Sequence, residues 1–167
     1  MSRILLILFF LASACESNRP PNKTFDQPFD PQIIAKLPIY DSLTRTLIEY
    51  YPFIQQPDEQ ETYSMYRFST DSAVFFGRLG PERSAKVRQY IQQLGKGFIR
   101  GCQIYKDSTV KIFIRDFYSG ELNMDVGERL SYFPNPGTMT RRKAPNKDTV
   151  LTKNWLYWIS LDDAEIF

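Results

Sequence analysis

Beyond Gly95 this 167-residue chain is written almost entirely in strand sequence, and that bounds its fold more tightly than any other feature. Phe98–Tyr105 and Thr109–Phe117 are rich in aromatic and β-branched residues. The polar turn Lys106-Asp107-Ser108 separates them, so together they read as a hairpin. Glu121–Phe133 follows after Ser119-Gly120, and Val150–Leu161 reads as a further strand. Between the last two lies Pro134–Asp148, punctuated by Pro134-Asn135-Pro136-Gly137 and long for a loop in a compact domain.

Upstream of Gly95 the period changes. Leu43, Leu47, Tyr50 and Tyr51 fall at i, i+4, i+7 and i+8, which predicts a helix over Asp41–Tyr51 with Asp41 as its cap and Pro52 as its stop. A second helix is predicted from Pro81 to Leu94. Gly80-Pro81 marks its start, Glu82 complements its N-terminal end, Gly95 marks its end, and Val87, Tyr90, Ile91 and Leu94 form its apolar stripe. Thr62–Phe68 and Ser72–Arg78 read as two short strands around Ser69-Thr70-Asp71. The expectation is an α+β domain, with one or two helices packed on a curved antiparallel sheet of about five or six strands. The order of elements looks like that of cystatin-like or NTF2-like folds. With 43% hydrophobic and 24% charged residues the chain has the composition of a globular protein, and 39–167 is expected to form a single domain with one core.

The N-terminal end is of another kind. Met1–Arg3 is a short cationic start, Ile4–Ala12 is an unbroken apolar run, and small Ser13 and Ala14 lead into Cys15. That is the layout of a secretory signal with a small-residue cleavage site. At 1.5 Å per residue the run covers roughly half of a ~30 Å hydrocarbon core, too little for a spanning helix. Leu11-Ala12-Ser13-Ala14-Cys15 resembles the lipobox of bacterial lipoproteins. The resemblance implies cleavage of 1–14, acylation of Cys15 on its sulfur and its new amine, and attachment of the mature chain to a membrane through that lipid. From Glu16 to Pro38 come Pro20, Pro21, Pro28, Pro31 and Pro38 among polar residues, so 15–38 reads as a Pro-rich tether in which helix is not expected. Ile33, Ile34 and Leu37 begin to dock on the domain.

The chain has no histidine, which removes the usual general base and the Ser-His and Cys-His nucleophile pairs. Lys and Arg number 21 against 19 Asp and Glu, a balance that exerts no pull on nucleic acid. No cofactor or metal is expected from these residues. Ser108-Thr109-Val110-Lys111 matches the Ser-x-x-Lys pattern of penicillin-recognising enzymes. Here it falls on a turn and strand, where residues three apart point to opposite sides.

Asp116, Glu121, Asp125 and Glu128, near Arg115 and Arg129, would suit glycoside hydrolysis if two of them converged within about 5–9 Å. Without convergence they are the charged face of a hairpin. Cys102 reads as a small buried hydrophobe with no partner once Cys15 carries lipid.

Two further sets are candidates for binding. Arg141, Arg142, Lys143 and Lys147 form a basic cluster in the long loop, suited to an anionic glycan, an anionic lipid or an acidic envelope protein. Trp155 and Tyr157 share one face of the final strand and Leu156 and Trp158 the other, so an uncovered face would be an aromatic contact surface, whereas core on both faces is the alternative. These features lead to the expectation of a membrane-anchored, non-catalytic binding or assembly module of a bacterial envelope. A small carboxylate-dependent hydrolase and an inhibitor or immunity-type protein are the alternatives.

Overall fold

The structure is a computed structural model that describes residues 30–55, 65–119, 124–139 and 147–161. Three helices, α1 (Pro31–Ala35), α2 (Leu37–Ile54) and α3 (Ala73–Leu94), pack on six strands: β1 (Met65–Ser69), β2 (Gly101–Tyr105), β3 (Val110–Ser119), β4 (Met124–Tyr132), β5 (Lys147–Val150) and β6 (Trp155–Leu161). The strands form one open antiparallel sheet in the order β1-β2-β3-β4-β6-β5. This is the α+β architecture read from the sequence, with one more helix.

Helix begins earlier than expected, inside the Pro-rich stretch. Asp30 caps α1 by accepting the Gln32 N–H at 2.9 Å. Pro31 and Pro38 both stand in first turns, where a missing N–H has no partner to lose. The expected tether through Pro38 is thus corrected over Pro31–Pro38, which contributes α1 and the start of α2 and buries Ile33. Asp41 is not a cap but a residue of the second turn of α2, paired to Arg45 on the helix surface. Pro52 does not stop α2 either. It sits in the last turn, and the helix closes two residues later at Ile54.

The second correction concerns Ser72–Arg78, which is helix rather than strand. The Ser72 hydroxyl accepts the Phe75 N–H at 3.2 Å and opens α3, and Phe75, Phe76 and Leu79 bury themselves on its first limb. Gly80, at φ 75° and ψ 172°, breaks the helix before Pro81, so the expected helix from Pro81 is the second of two limbs. Ser84 ties the limbs together by donating to the Phe76 carbonyl at 2.7 Å.

The core lies between the helices and one face of the sheet. From α2, Tyr40, Leu43, Leu47, Tyr50 and Ile54 enter it. The Phe75 ring of α3 stacks on Phe68 of β1 with centroids 3.5 Å apart. The sheet supplies Cys102, Ile104, Val110, Ile112, Val126, Leu130, Trp155, Tyr157 and Ile159. The long loop is also shorter than it read. It contains a turn of 3-10 helix at Pro136–Thr138 and gives way at Lys147 to β5, which forms a sheet edge. Val150 belongs to that edge strand, so the expected single strand Val150–Leu161 is two, with a turn between them. Among the described residues no helix is long and apolar enough to cross a membrane.

Candidate ligand cleft on the outer face of the sheet

Strand period two assigns every side chain of β4 and β6 to one face or the other. Leu130 pairs with Tyr157 and Tyr132 with Trp155 on the inner face, under the helices. Arg129 pairs with Trp158 and Ser131 with Leu156 on the outer face, opposite the helices. Trp155 and Tyr157, expected as a possible contact surface, are therefore core residues, only 3% and 2% exposed. Leu156 and Trp158 are equally buried, on the other side. Both faces of β6 are covered, the alternative that the sequence left open.

The outer face holds a cleft of about 340 Å³ at the end of the sheet where the β2–β3 hairpin turns. Leu156, Trp158 and Ser131 line its floor, and the Trp158 indole N–H donates to the Ser131 hydroxyl at 2.9 Å. Half-buried Tyr105, Lys111 and Phe133 line its sides, with the Lys111 ammonium 5.2 Å from the centre of the Trp158 ring. Asp107, Thr109 and Thr138 line its rim.

Local chemistry builds that rim. The Tyr105 carbonyl accepts the Ser108 N–H at 2.9 Å, Ser108 adopts φ 66°, and Tyr105 N–H donates to the Thr109 carbonyl at 2.9 Å. This is a three-residue hairpin loop with a left-handed last position. Asp107 braces it by accepting the Thr109 N–H at 2.9 Å. On the far side, Asn154 donates to the Phe133 carbonyl at 2.6 Å and fixes where β4 leaves the sheet.

Beside the cleft runs a charged row. Arg129, 1% exposed, is the largest fully buried side chain among the described residues. Its guanidinium lies 4.8 Å from the Phe113 ring centre, with Arg67 4.7 Å from the same ring. It donates to the carbonyls of Arg115 at 3.2 Å and Glu128 at 3.1 Å. Its contact with Asp116, 2.5 Å, is an ion pair rather than an aligned hydrogen bond. Arg100 holds the other Asp116 oxygen at 2.9 Å. Gly127 makes room for this, because a Cβ there would stand 2.5–2.8 Å from the Arg129 guanidinium.

Of the candidate carboxylates, Asp116 and Glu128 do not converge. Asp116 pairs in register with Gly127 and lies on the outer face, whereas Glu128 pairs with Arg115 and lies on the inner face. Glu128 is held by both Arg115 nitrogens, Nε and, at 3.0 Å, Nη2, and it accepts the Tyr157 hydroxyl at 2.8 Å. Burial and then the Glu128 charge push the Tyr157 phenol well above its ordinary range. The hydrogen bond to Glu128 raises Arg115. Asp125 is on β4, and Glu121 lies outside the described residues. Among the described residues no group of three or more Asp, Glu or Cys side chains is placed to hold a metal.

Ser108 and Lys111 do not form a site either. Ser108 is in the turn, and Lys111 faces the cleft from the strand. Cys102 is fully buried on the inner face, and desolvation drives its thiol far above the usual range. Lys147 opens β5, while Arg141, Arg142, Lys143 and the lipobox with Cys15 lie outside the described residues. Sequence reasoning separated Leu156 and Trp158 from Trp155 and Tyr157 but offered the latter pair for binding, and it missed the cleft itself. Its walls come from four separate segments, and the one local signal was the Asp107 turn that places Thr109 and Lys111. Comparison with protein-family models, curated proteins and solved structures gives no match.

Proposed function

We propose that this chain is a bacterial envelope lipoprotein, held on a membrane through acylated Cys15, that binds its target rather than transforming it. The observation that carries the reading is the outer-face cleft. It combines an aromatic floor with a few convergent polar groups, the usual make-up of a small-ligand site. Supporting it, Asp116 and Glu128, two of the carboxylates that a hydrolase would use, are on opposite faces and committed to arginines.

The anchoring half of the reading rests on the Leu11–Cys15 sequence alone. Mass spectrometry of the mature N-terminus should find Cys15 acylated, and an unmodified N-terminus at Glu16 would remove it. For the binding half, a photoreactive side chain at Thr138, on the rim, should yield adducts in the intact envelope. The same group at exposed Glu82 on α3 should not. Equal yields from both positions would take the cleft out of the reading.

A further inference from the structure

Resting on that reading of the cleft, we propose that its ligand is an uncharged pyranose sugar of one or two rings. A volume of about 340 Å³ is at the low end for small-molecule sites, which run from roughly 300 to 1,000 Å³. That is room for one small molecule of one or two rings.

Charge then narrows the class. The lining carries one acid, Asp107, and one base, Lys111, so it presents no net sign to a ligand. An anion meets a single ammonium with a carboxylate beside it. A ligand cation meets an aromatic floor whose cation–π seat, over Trp158, is already taken by Lys111. A wholly apolar ligand would strip water from Asp107, Lys111 and the hydroxyls of the lining without replacing the hydrogen bonds.

What remains is a neutral molecule with an apolar side and a polar edge. The Thr109 hydroxyl can donate and accept, that of Ser131, which accepts the Trp158 N–H, can donate, and that of Thr138, which donates to the Asn135 carbonyl at 2.8 Å, can accept. They surround rings and aliphatic carbon from Tyr105, Phe133 and Leu156. A pyranose has the matching surfaces, C–H bonds on its faces and hydroxyl groups around its edge.

The chain has two tryptophans, and of these Trp158 lines the cleft while Trp155 is in the helix-facing core. Indole fluorescence of the full chain should therefore shift saturably with cellobiose or chitobiose in the millimolar range, and the shift should vanish in Trp158→Phe. Thr109→Val removes a hydroxyl while keeping shape, and it should weaken the sugar about tenfold, near the value of one well-placed hydrogen bond. Glu82→Gln should leave it unchanged.

A saturable response to inorganic phosphate or phosphocholine but not to either sugar would overturn the sugar assignment and leave the cleft as a binding site. No response to any of the four probes, together with no adducts from Thr138 in the envelope, would overturn both.

Discussion

Leu130 and Arg129 are neighbours in β4, and they bury themselves on opposite sides of the sheet by opposite means. On the inner side Leu130, Tyr132 and Ile159 meet the helices with carbon, and the Glu128 carboxylate there is closed by Arg115 and Tyr157. On the outer side Arg129 is as deeply buried as Leu130, yet its neighbours are a phenyl ring, a carboxylate, two main-chain carbonyls and the bare Cα of Gly127. The inner face would tolerate a change of hydrocarbon if volume were kept. The outer face is specified by geometry, because a guanidinium satisfies planar, directional partners that no other side chain matches.

The sharpest test of that contrast removes carbon from the inner face. Leu130→Ala should cost about 2–5 kcal/mol in urea unfolding, while Leu130→Met should cost less than about 1.5 kcal/mol. A Met variant as damaging as Ala would mean that the inner face, too, is specified by geometry.

Next comes the outer face. Gly127→Ala puts a methyl group against the Arg129 guanidinium and should cost about 1–3 kcal/mol, with no change in the denaturant slope. If Gly127→Ala were neutral, Arg129 would be free to move and the outer row would be no more rigid than an ordinary surface.

Smaller still is Tyr157→Phe, which leaves Glu128 short of one donor and should cost about 1–2 kcal/mol at neutral pH. Because the folded pKa of Tyr157 is raised, its contribution is complete below the ordinary tyrosine pKa of about 10 and falls as pH climbs beyond it. The stability gap between wild type and Tyr157→Phe should therefore narrow above pH ~10. A gap that widened there would show that the phenol ionises more readily in the folded protein.

The smallest effect belongs to Lys111→Met, which gives up a cation–π contact but keeps the stem over Trp158. Chemical denaturation should place it within about 1 kcal/mol of wild type.

The inner face was the legible one. Period and punctuation gave the α2 stripe, the second limb of α3, the hairpin around Lys106-Asp107-Ser108 and the alternation along β6, because each is a local pattern imposed by a single buried side. Two kinds of feature escaped. Pro31, Pro38 and Pro52 read as helix breakers, yet each occupies an end turn where the lost hydrogen bond is small or absent. The aromatic and β-branched run from Ser72 read as strand, and the Ser72 cap together with burial of Phe75 and Phe76 against the sheet decided for helix.

The outer face was opaque for a different reason. Arg129 and Asp116 both have the composition of a solvated hairpin, and their burial depends on partners at Arg100, Phe113 and Gly127 that no local spacing connects. For the cleft, Leu156 and Trp158 were identified as one face, but the register that brings them to Lys111, Ser131 and Thr138 follows from strand pairing.

The position of β6 has a consequence for the time course of folding. It is inserted between β4 and β5, and its Trp155 ring lies 6.3 Å from that of Tyr40, near the start of α2. The core is therefore open on one side until a strand late in the sequence arrives, and the contact that closes it spans most of the domain. Contacts of such long range are slow to form, since loop closure must precede them. Synthesis of everything through β5 leaves an edge of β4 and the part of the inner face that Trp155, Tyr157 and Ile159 fill waiting. If Ile4–Ala14 directs export, as proposed, that order would suit it, because a chain whose core closes only with β6 would stay threadable until that strand is available.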